Sequence, residues 1–292
     1  MNKKIVTWSA ESACDHTQTM ASPPLPPSDV ETVLYCNVGC PFARRAMLTV
    51  HEKALSCTFA PIPLSGQLKK MKADGVASYP QAAELWPGAT LAEIMQCKED
   101  YKRDINSTGE VPTLRLGTDV VTEADVVSEF LEDAFPTLGA SLMPINDPVG
   151  RSRVRHGIKV LNGSDGVSAM YGCLMNQDPT KDEAARTRLY KGLAKFVSLA
   201  SEEGPYFLGE QFSLADLMLL PMWDQFRFIL PHYRGVELVP ASEEHAWAPR
   251  MRQWAAAVEQ RESFKAHRMT EEQYVAAYVG YAGARGASEF GN

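Results

Sequence analysis

No stretch of the 292 residues stays apolar for the roughly 20 positions that a membrane-spanning helix needs. Runs of lysine and arginine are missing too. Acidic residues outnumber basic ones by 36 to 29, for a formal net charge of -7, so a nucleic-acid partner is not expected. The opening residues carry two lysines, Lys3 and Lys4, with almost no apolar core behind them. The polar stretch from Ser9 to Thr19 argues against a secretory signal. Cysteine is sparse: residues 14, 36, 40, 57, 97 and 173 are too scattered for a disulfide framework in a chain this long. Only Cys36 and Cys40 lie close together, and no histidine or second cysteine pair joins them, so the clustered ligands of a zinc site are lacking. The expectation is a reduced, cytoplasmic, metal-free protein without a membrane or nucleic-acid partner. No internal repeat is present.

The length suggests two units, at roughly 150 residues per domain. Residues 1–29 are proline-rich and read as a disordered extension. Order is expected from Thr32-Val33-Leu34-Tyr35-Cys36, a strand of β-forming residues. A turn over Asn37 to Cys40 leads to Pro41, a residue suited to the first position of a helix. Ala43, Ala46, Met47, Val50 and Ala54 then recur at helical spacing. Residues 57–62 fit a second strand, parallel to the first. The polar stretch 65–110 reads as an insertion with one helix near 91–104 and an irregular part around 77–89. Strands at 111–116 and 120–122 form a hairpin, and a helix follows over about 123–135. The order β-α-β-α-β-β-α is thioredoxin-like and fills residues 30–140. Residues 148–285 read as an all-helical second domain, with stretches near 149–175, 182–203, 213–229, 247–260 and 263–281.

The chemistry concentrates at Cys40-Pro41-Phe42-Ala43. A cysteine just before a helix faces unpaired N–H groups and the positive end of the helix dipole, which favour the thiolate. Arg44 and Arg45 add positive charge one turn on, so a depressed thiol pKa is expected. A dithiol enzyme would carry a second cysteine at position 43, where Ala43 stands, so Cys40 must act as a single thiol. Cys36 is either a resolving thiol or a small core residue of its strand, and Tyr35 is either a hydroxyl activator or a packing residue. Pro112, within Val111-Pro112-Thr113, should sit at a sheet edge or follow a cis bond, leaving the Val111 N–H and C=O open to an extended ligand. Glu123 begins a helix, where a carboxylate either serves the dipole or accepts a ligand ammonium.

The run from Tyr35 to Leu55, with Cys-Pro-Phe-Ala-Arg-Arg, resembles the active-site segment of omega-class, cysteine-type glutathione transferases. Val111-Pro112-Thr113-Leu114 and Glu123-Ala124 are similar to that family's glutathione-binding strand and helix start. Ser213-Leu214-Ala215-Asp216 is similar to its helix-capping box. The likeness extends to parasite thiol-dependent reductases of the same fold. It implies a glutathione-transferase fold, a homodimer, and a thioltransferase or reductase acting on mixed disulfides or dehydroascorbate-like substrates. Cys40 would be catalytic, Phe42, Val111, Pro112, Glu123 and Ala124 would hold the thiol cofactor, and Lys98 or Lys102 would meet its other carboxylate. Met222 and Trp223 would line a substrate pocket between the domains, or else pack in the core. Ala124 replaces the family's usual serine and the insertion is longer than usual; a glutathione-derived thiol such as a polyamine conjugate would fit these departures. The alternatives are a chloride-intracellular-channel-like protein and a non-catalytic scaffold. The first is opposed by His51, Glu52 and Lys53 in helix one, since each charge at a bilayer centre costs roughly 2.5 kcal/mol or more.

Overall fold

The computed structural model describes residues 30–79, 81–241 and 245–283, so the expected disorder over residues 1–29 lies outside the described residues. Strand β1 (Thr32–Cys36) is central in a four-stranded sheet of order β2-β1-β3-β4, with β2 at Thr58–Pro61, β3 at Thr113–Leu116 and β4 at Asp119–Thr122. The β1–β2 pair is parallel, with Leu34 opposite Phe59. The other pairs are antiparallel, placing Leu34 opposite Leu114 and Leu114 opposite Val121. Helices α1 (Pro41–Glu52) and α5 (Ala124–Ala134) pack together and close the apolar core around Leu34, Ala46, Leu114, Val127 and Leu131. The thioredoxin-like order is therefore present.

The insertion is more regular than its composition predicts. Beyond the expected α4 (Leu91–Asp104) it holds α2 (Ser65–Asp74), a short 3-10 turn at Val76–Ser78 and α3 (Ala82–Leu85). Sequence periodicity misses α2 because only Gln67 and Met71 of its ten residues are buried, so it shows almost no apolar stripe. Met71, Tyr79, Ala82, Trp86 and Ile94 form a small core of their own beneath it, and the Trp86 indole N–H ties this to β2 by donating to the Pro61 carbonyl at 3.1 Å.

The second unit is helical: α6 (Pro148–Asn162), α7 (Val167–Met175), α8 (Asp182–Leu199), α9 (Leu214–Arg234), α10 (Ala248–Val258), α11 (Glu262–Ala266) and α12 (Glu271–Ala282). The helix expected over 149–175 is broken at Gly163–Gly166. A Cβ on Gly166 would lie 2.1 Å from the Leu161 carbonyl oxygen, and one on Gly192 of α8 would lie 1.6 Å from that of Asp165, so the break lets α8 cross in contact with the turn. Helix α9 is buried on almost every side and forms the axis of this unit.

The capping box at the start of α9 forms and does more than cap. Asp216 Oδ2 accepts from the Ser213 N–H (2.8 Å) and hydroxyl (2.7 Å), while Oδ1 accepts from the Phe207 N–H (2.7 Å) and the Trp254 indole N–H (2.9 Å). All four donors are buried, so removing the carboxylate strands them together. Asp216→Ala is expected to cost about 3 kcal/mol or more, at roughly 1–3 kcal/mol per unsatisfied buried group. Urea unfolding measures this, and a loss below about 1 kcal/mol would show that other groups or water take over the donors.

Candidate active site

Two neighbouring side chains of α1 leave the sheet domain and end inside the helical one. Arg44 Nη2 pairs with Asp224 of α9 at 2.5 Å, with both side chains buried, and Nη1 donates to the Tyr274 hydroxyl of α12. Arg45 Nε donates to the Met218 carbonyl of α9 at 2.9 Å, and its Nη1 to Asn162 of α6 at 3.1 Å. At the other end of α1, Glu52 accepts from Arg261 at 2.5 and 2.7 Å and from the Ser263 hydroxyl at 2.5 Å. These anchors set the start of α1, and with it Cys40, at the seam of the two domains.

Cys40 is the N-cap of α1, in extended conformation, at the end of a turn closed by its own N–H donating to the Asn37 carbonyl at 2.9 Å. The Asn37 amide holds this turn to the insertion, donating to the Ile62 carbonyl and to Gln67 Oε1, both at 2.9 Å. The Cys40 thiol lies 3.9 Å from the Val111 carbonyl oxygen and donates to it. Burial pushes the thiol above its usual range. The N–H groups of Ala43 and Phe42 and the charges of Arg45 and Arg44 pull it down, but they do not win. This corrects the expected activation. The helix start acts as foreseen, whereas the guanidinium of Arg44 is neutralised by Asp224, and a thiol that donates to a carbonyl loses that bond on ionising.

A cavity of about 430 Å³ opens beside the sulfur, and all the residues expected to hold a thiol ligand meet in it: Phe42, Lys98, Val111, Pro112, Glu123 and Ala124, together with Cys40. The Val111–Pro112 bond is cis. Strand β3 is internal to the sheet, so the edge alternative does not apply; Pro112 precedes the strand and owes it no ladder bond. Among the described residues nothing accepts from the Val111 N–H. Glu123 has a left-handed backbone (φ 69°, ψ 127°), a strained state for a residue with a Cβ, and its exposed carboxylate has no partner among the described residues. Ala124 presents no hydroxyl to the cavity. The Lys98 ammonium donates to the Gly109 carbonyl; burial, then Lys102, lowers its pKa.

Other expectations resolve differently. Cys36 is a core residue of β1, its thiol pushed up to about 12 chiefly by burial. Tyr35 packs on Tyr101 with ring centroids 5.2 Å apart, on the sheet rather than over the sulfur. Met222 and Trp223 do not line the cavity. They lie in the core of the helical unit, where Trp223 meets Trp254 edge-on at 6.0 Å, because α9 is buried on almost every side and offers no free face there. The sequence reading missed Leu64, Ser65 and the loop Asn106 to Glu110, which complete the cavity wall.

Two family models match the chain. Residues 39–134 match the glutathione S-transferase N-terminal domain and residues 179–257 its C-terminal domain. This chain belongs to the glutathione S-transferase family. Among curated relatives, a protein of Oryza sativa subsp. japonica named "Probable glutathione S-transferase DHAR2, chloroplastic" is 25% identical over 206 residues, which are 70% of this chain and 58% of that protein. The structure of glutathione transferase Omega 3C from Trametes versicolor superposes with a TM-score of 0.64 at 26% identity, covering 86% of this chain and 90% of that one. Leishmania TDR1, described as a unique trimeric glutathione transferase, has a TM-score of 0.66 at 24% identity over 86% of this chain and 48% of its own. This chain thus spans little more than half of the rice protein and about half of the Leishmania one. The cavity presents groups suited to an extended, peptide-like ligand. The free Val111 N–H and the Val111 C=O match a peptide backbone, and the Glu123 carboxylate matches an ammonium group. Among the described residues there is no metal-binding cluster and no helix long and apolar enough to cross a membrane.

The raised thiol makes a direct expectation. Iodoacetamide should alkylate Cys40, identified against Cys40→Ala, with a pH midpoint above the free-thiol value of about 8.5. A midpoint below that value would mean that the helix start outweighs burial.

Proposed function

We propose that this protein is an omega-like, glutathione-dependent thioltransferase and reductase in which Cys40 is the nucleophile. The observation that carries this reading is a single thiol at a helix start, opening onto a cavity that presents a free backbone N–H at Val111 and an unpaired carboxylate at Glu123. With a glutathionyl disulfide as substrate, the Cys40 sulfur attacks the glutathionyl sulfur. The S–S bond breaks, a Cys40–glutathione disulfide forms, and the other half leaves as a thiolate that takes up the proton Cys40 gave up. A glutathione thiolate then attacks the mixed disulfide, releasing oxidised glutathione and the Cys40 thiol, so two glutathione equivalents carry the two electrons. Dehydroascorbate-like substrates would be reduced by the same pair of electrons.

Ligand binding would remove one bond that holds the proton on the raised thiol, though not the burial that raises it. A ligand amide donating to the Val111 carbonyl displaces the Cys40 S–H from its acceptor, while the N–H groups of Phe42 and Ala43 remain to receive the thiolate. Conjugation to electrophiles is expected to be weak, because Cys40 bonds to the co-substrate sulfur instead of stabilising it as a thiolate. Assembly is proposed as a homodimer, which light scattering would test against the trimer described for the Leishmania protein.

Two substitutions test the reading. Cys40→Ser should abolish reduction of hydroxyethyl disulfide and gain conjugation of chlorodinitrobenzene, since a hydroxyl cannot exchange disulfides but can hydrogen-bond a thiolate. Undiminished reduction would move the nucleophile to another cysteine. Glu123→Gln keeps the shape and removes the charge. It should weaken glutathione binding about tenfold or more, for a charge-assisted bond of roughly 1.5–3 kcal/mol. Calorimetric titration giving unchanged affinity, with only a lower melting point, would leave Glu123 a helix-start residue.

A further inference from the structure

The insertion reaches the reactive cysteine through a pair of side-chain amides. Asn37 Nδ2 donates to Gln67 Oε1 at 2.9 Å, and Gln67 Nε2 donates back to Asn37 Oδ1 at 3.1 Å. Backbone groups fix the orientation of both. Asn37 Oδ1 also accepts from the Gly39 N–H at 2.9 Å, and its Nδ2 also donates to the Ile62 carbonyl at 2.9 Å. Gln67 Oε1 also accepts from the Leu64 N–H at 2.8 Å, and its Nε2 also donates to the Tyr79 hydroxyl. Turning either amide over would set donor against donor and acceptor against acceptor. Asn37, Gln67 and Tyr79 are all more than nine-tenths buried, so little water competes for these bonds. Gly39 permits the approach: a Cβ there would lie 3.2 Å from the Tyr79 hydroxyl oxygen and 3.3 Å from Gln67 Nε2, tighter than ordinary contact. The residue before Cys40 thus gives up its side chain, and polar groups of the insertion take the place.

These bonds end on two walls of one cavity. On one side is the turn, where Asn37 accepts from the N–H groups of Gly39 and Cys40. On the other is the start of α2, where Leu64 and Ser65 line the cavity together with Cys40. Little else holds that start. Gln67 and Met71 are the only buried side chains of α2, and Met71 belongs to the small core one turn further on. We propose that Gln67 is a positioning residue that locks the start of α2 to the Cys40 turn and so keeps the cavity shaped for the glutathionyl group, with Asn37 and Tyr79 completing the lock. This rests on the thioltransferase reading. Helix α1 does not depend on the lock, since Arg44, Arg45 and Glu52 anchor it to the helical domain. The lock therefore governs how well the ligand is held, not how reactive the bare thiol is.

Gln67→Met keeps the length of the side chain and removes every bond of its amide. In single-turnover reactions of the full chain with oxidised glutathione, it should raise the half-saturating concentration about tenfold and leave the limiting rate within about threefold of wild type. Iodoacetamide should still alkylate Cys40 within about twofold of the wild-type rate, because that reagent needs no shaped cavity. A variant with a lower melting point but unchanged half-saturation would overturn the assignment and leave Gln67 a residue of the fold alone. Equal losses toward oxidised glutathione and iodoacetamide would overturn it as well, since the damage would then lie in the Cys40 turn itself. Should Gln67→Met not fold, Tyr79→Phe removes one partner of the amide and should raise half-saturation by about two- to threefold; no rise there is equally contrary. Wild-type protein inert toward oxidised glutathione would reject the thioltransferase reading itself, an outcome distinct from an active wild type with an indifferent variant.

Discussion

Everything at the candidate site hangs on the insertion of Arg44 and Arg45 from α1 into the helical domain. Two adjacent cations buried side by side are costly unless each finds partners, and both do: Asp224 and Tyr274 for one, the Met218 carbonyl and Asn162 for the other. Once these bonds form, the start of α1 cannot shift relative to α9, and the Cys40 sulfur is held at the seam. Both guanidinium charges still draw the thiol toward its ionised form, but burial at the same seam outweighs them, so position and activation compete.

That competition explains how much could be seen in the sequence. The strand, turn, Cys40, Pro41 and α1 announce themselves because each signal is local: β-branched residues, a tight turn, proline at a first helical position, apolar residues at helical spacing. The Val111–Pro112 and Glu123 positions are legible for the same reason, and the fold brings them to one cavity with Cys40. Charge is different. Reading Arg44 and Arg45 by their distance along the chain places them beside the sulfur, but their long side chains reach partners far away in sequence, such as Asp224. No local rule reports this.

The other misreadings have physical causes of the same kind. Helix α2 carries too few buried residues to mark a face, yet it is held by Gln67 and Met71 and by the small core around Trp86. Met222 and Trp223 sit on a helix that is buried on almost every side, and such a helix does not say which side meets a ligand. The break between α6 and α7 was available in Gly163 and Gly166, whose close approaches only the packing of α8 makes evident. Glu123 is the reverse case: its left-handed backbone is invisible in sequence and strengthens a reading made there on the carboxylate alone.

The central claim is that the nucleophile at this seam is Cys40 and that glutathione is held in the adjoining cavity. Peptide mass mapping after brief incubation with oxidised glutathione tests it most directly, since Cys57 and Cys97 are also unbridged, partly exposed thiols. The account predicts a single glutathione adduct, on Cys40, removed by added glutathione. An adduct that forms first on Cys57 or Cys97 while Cys40 stays unmodified would contradict it.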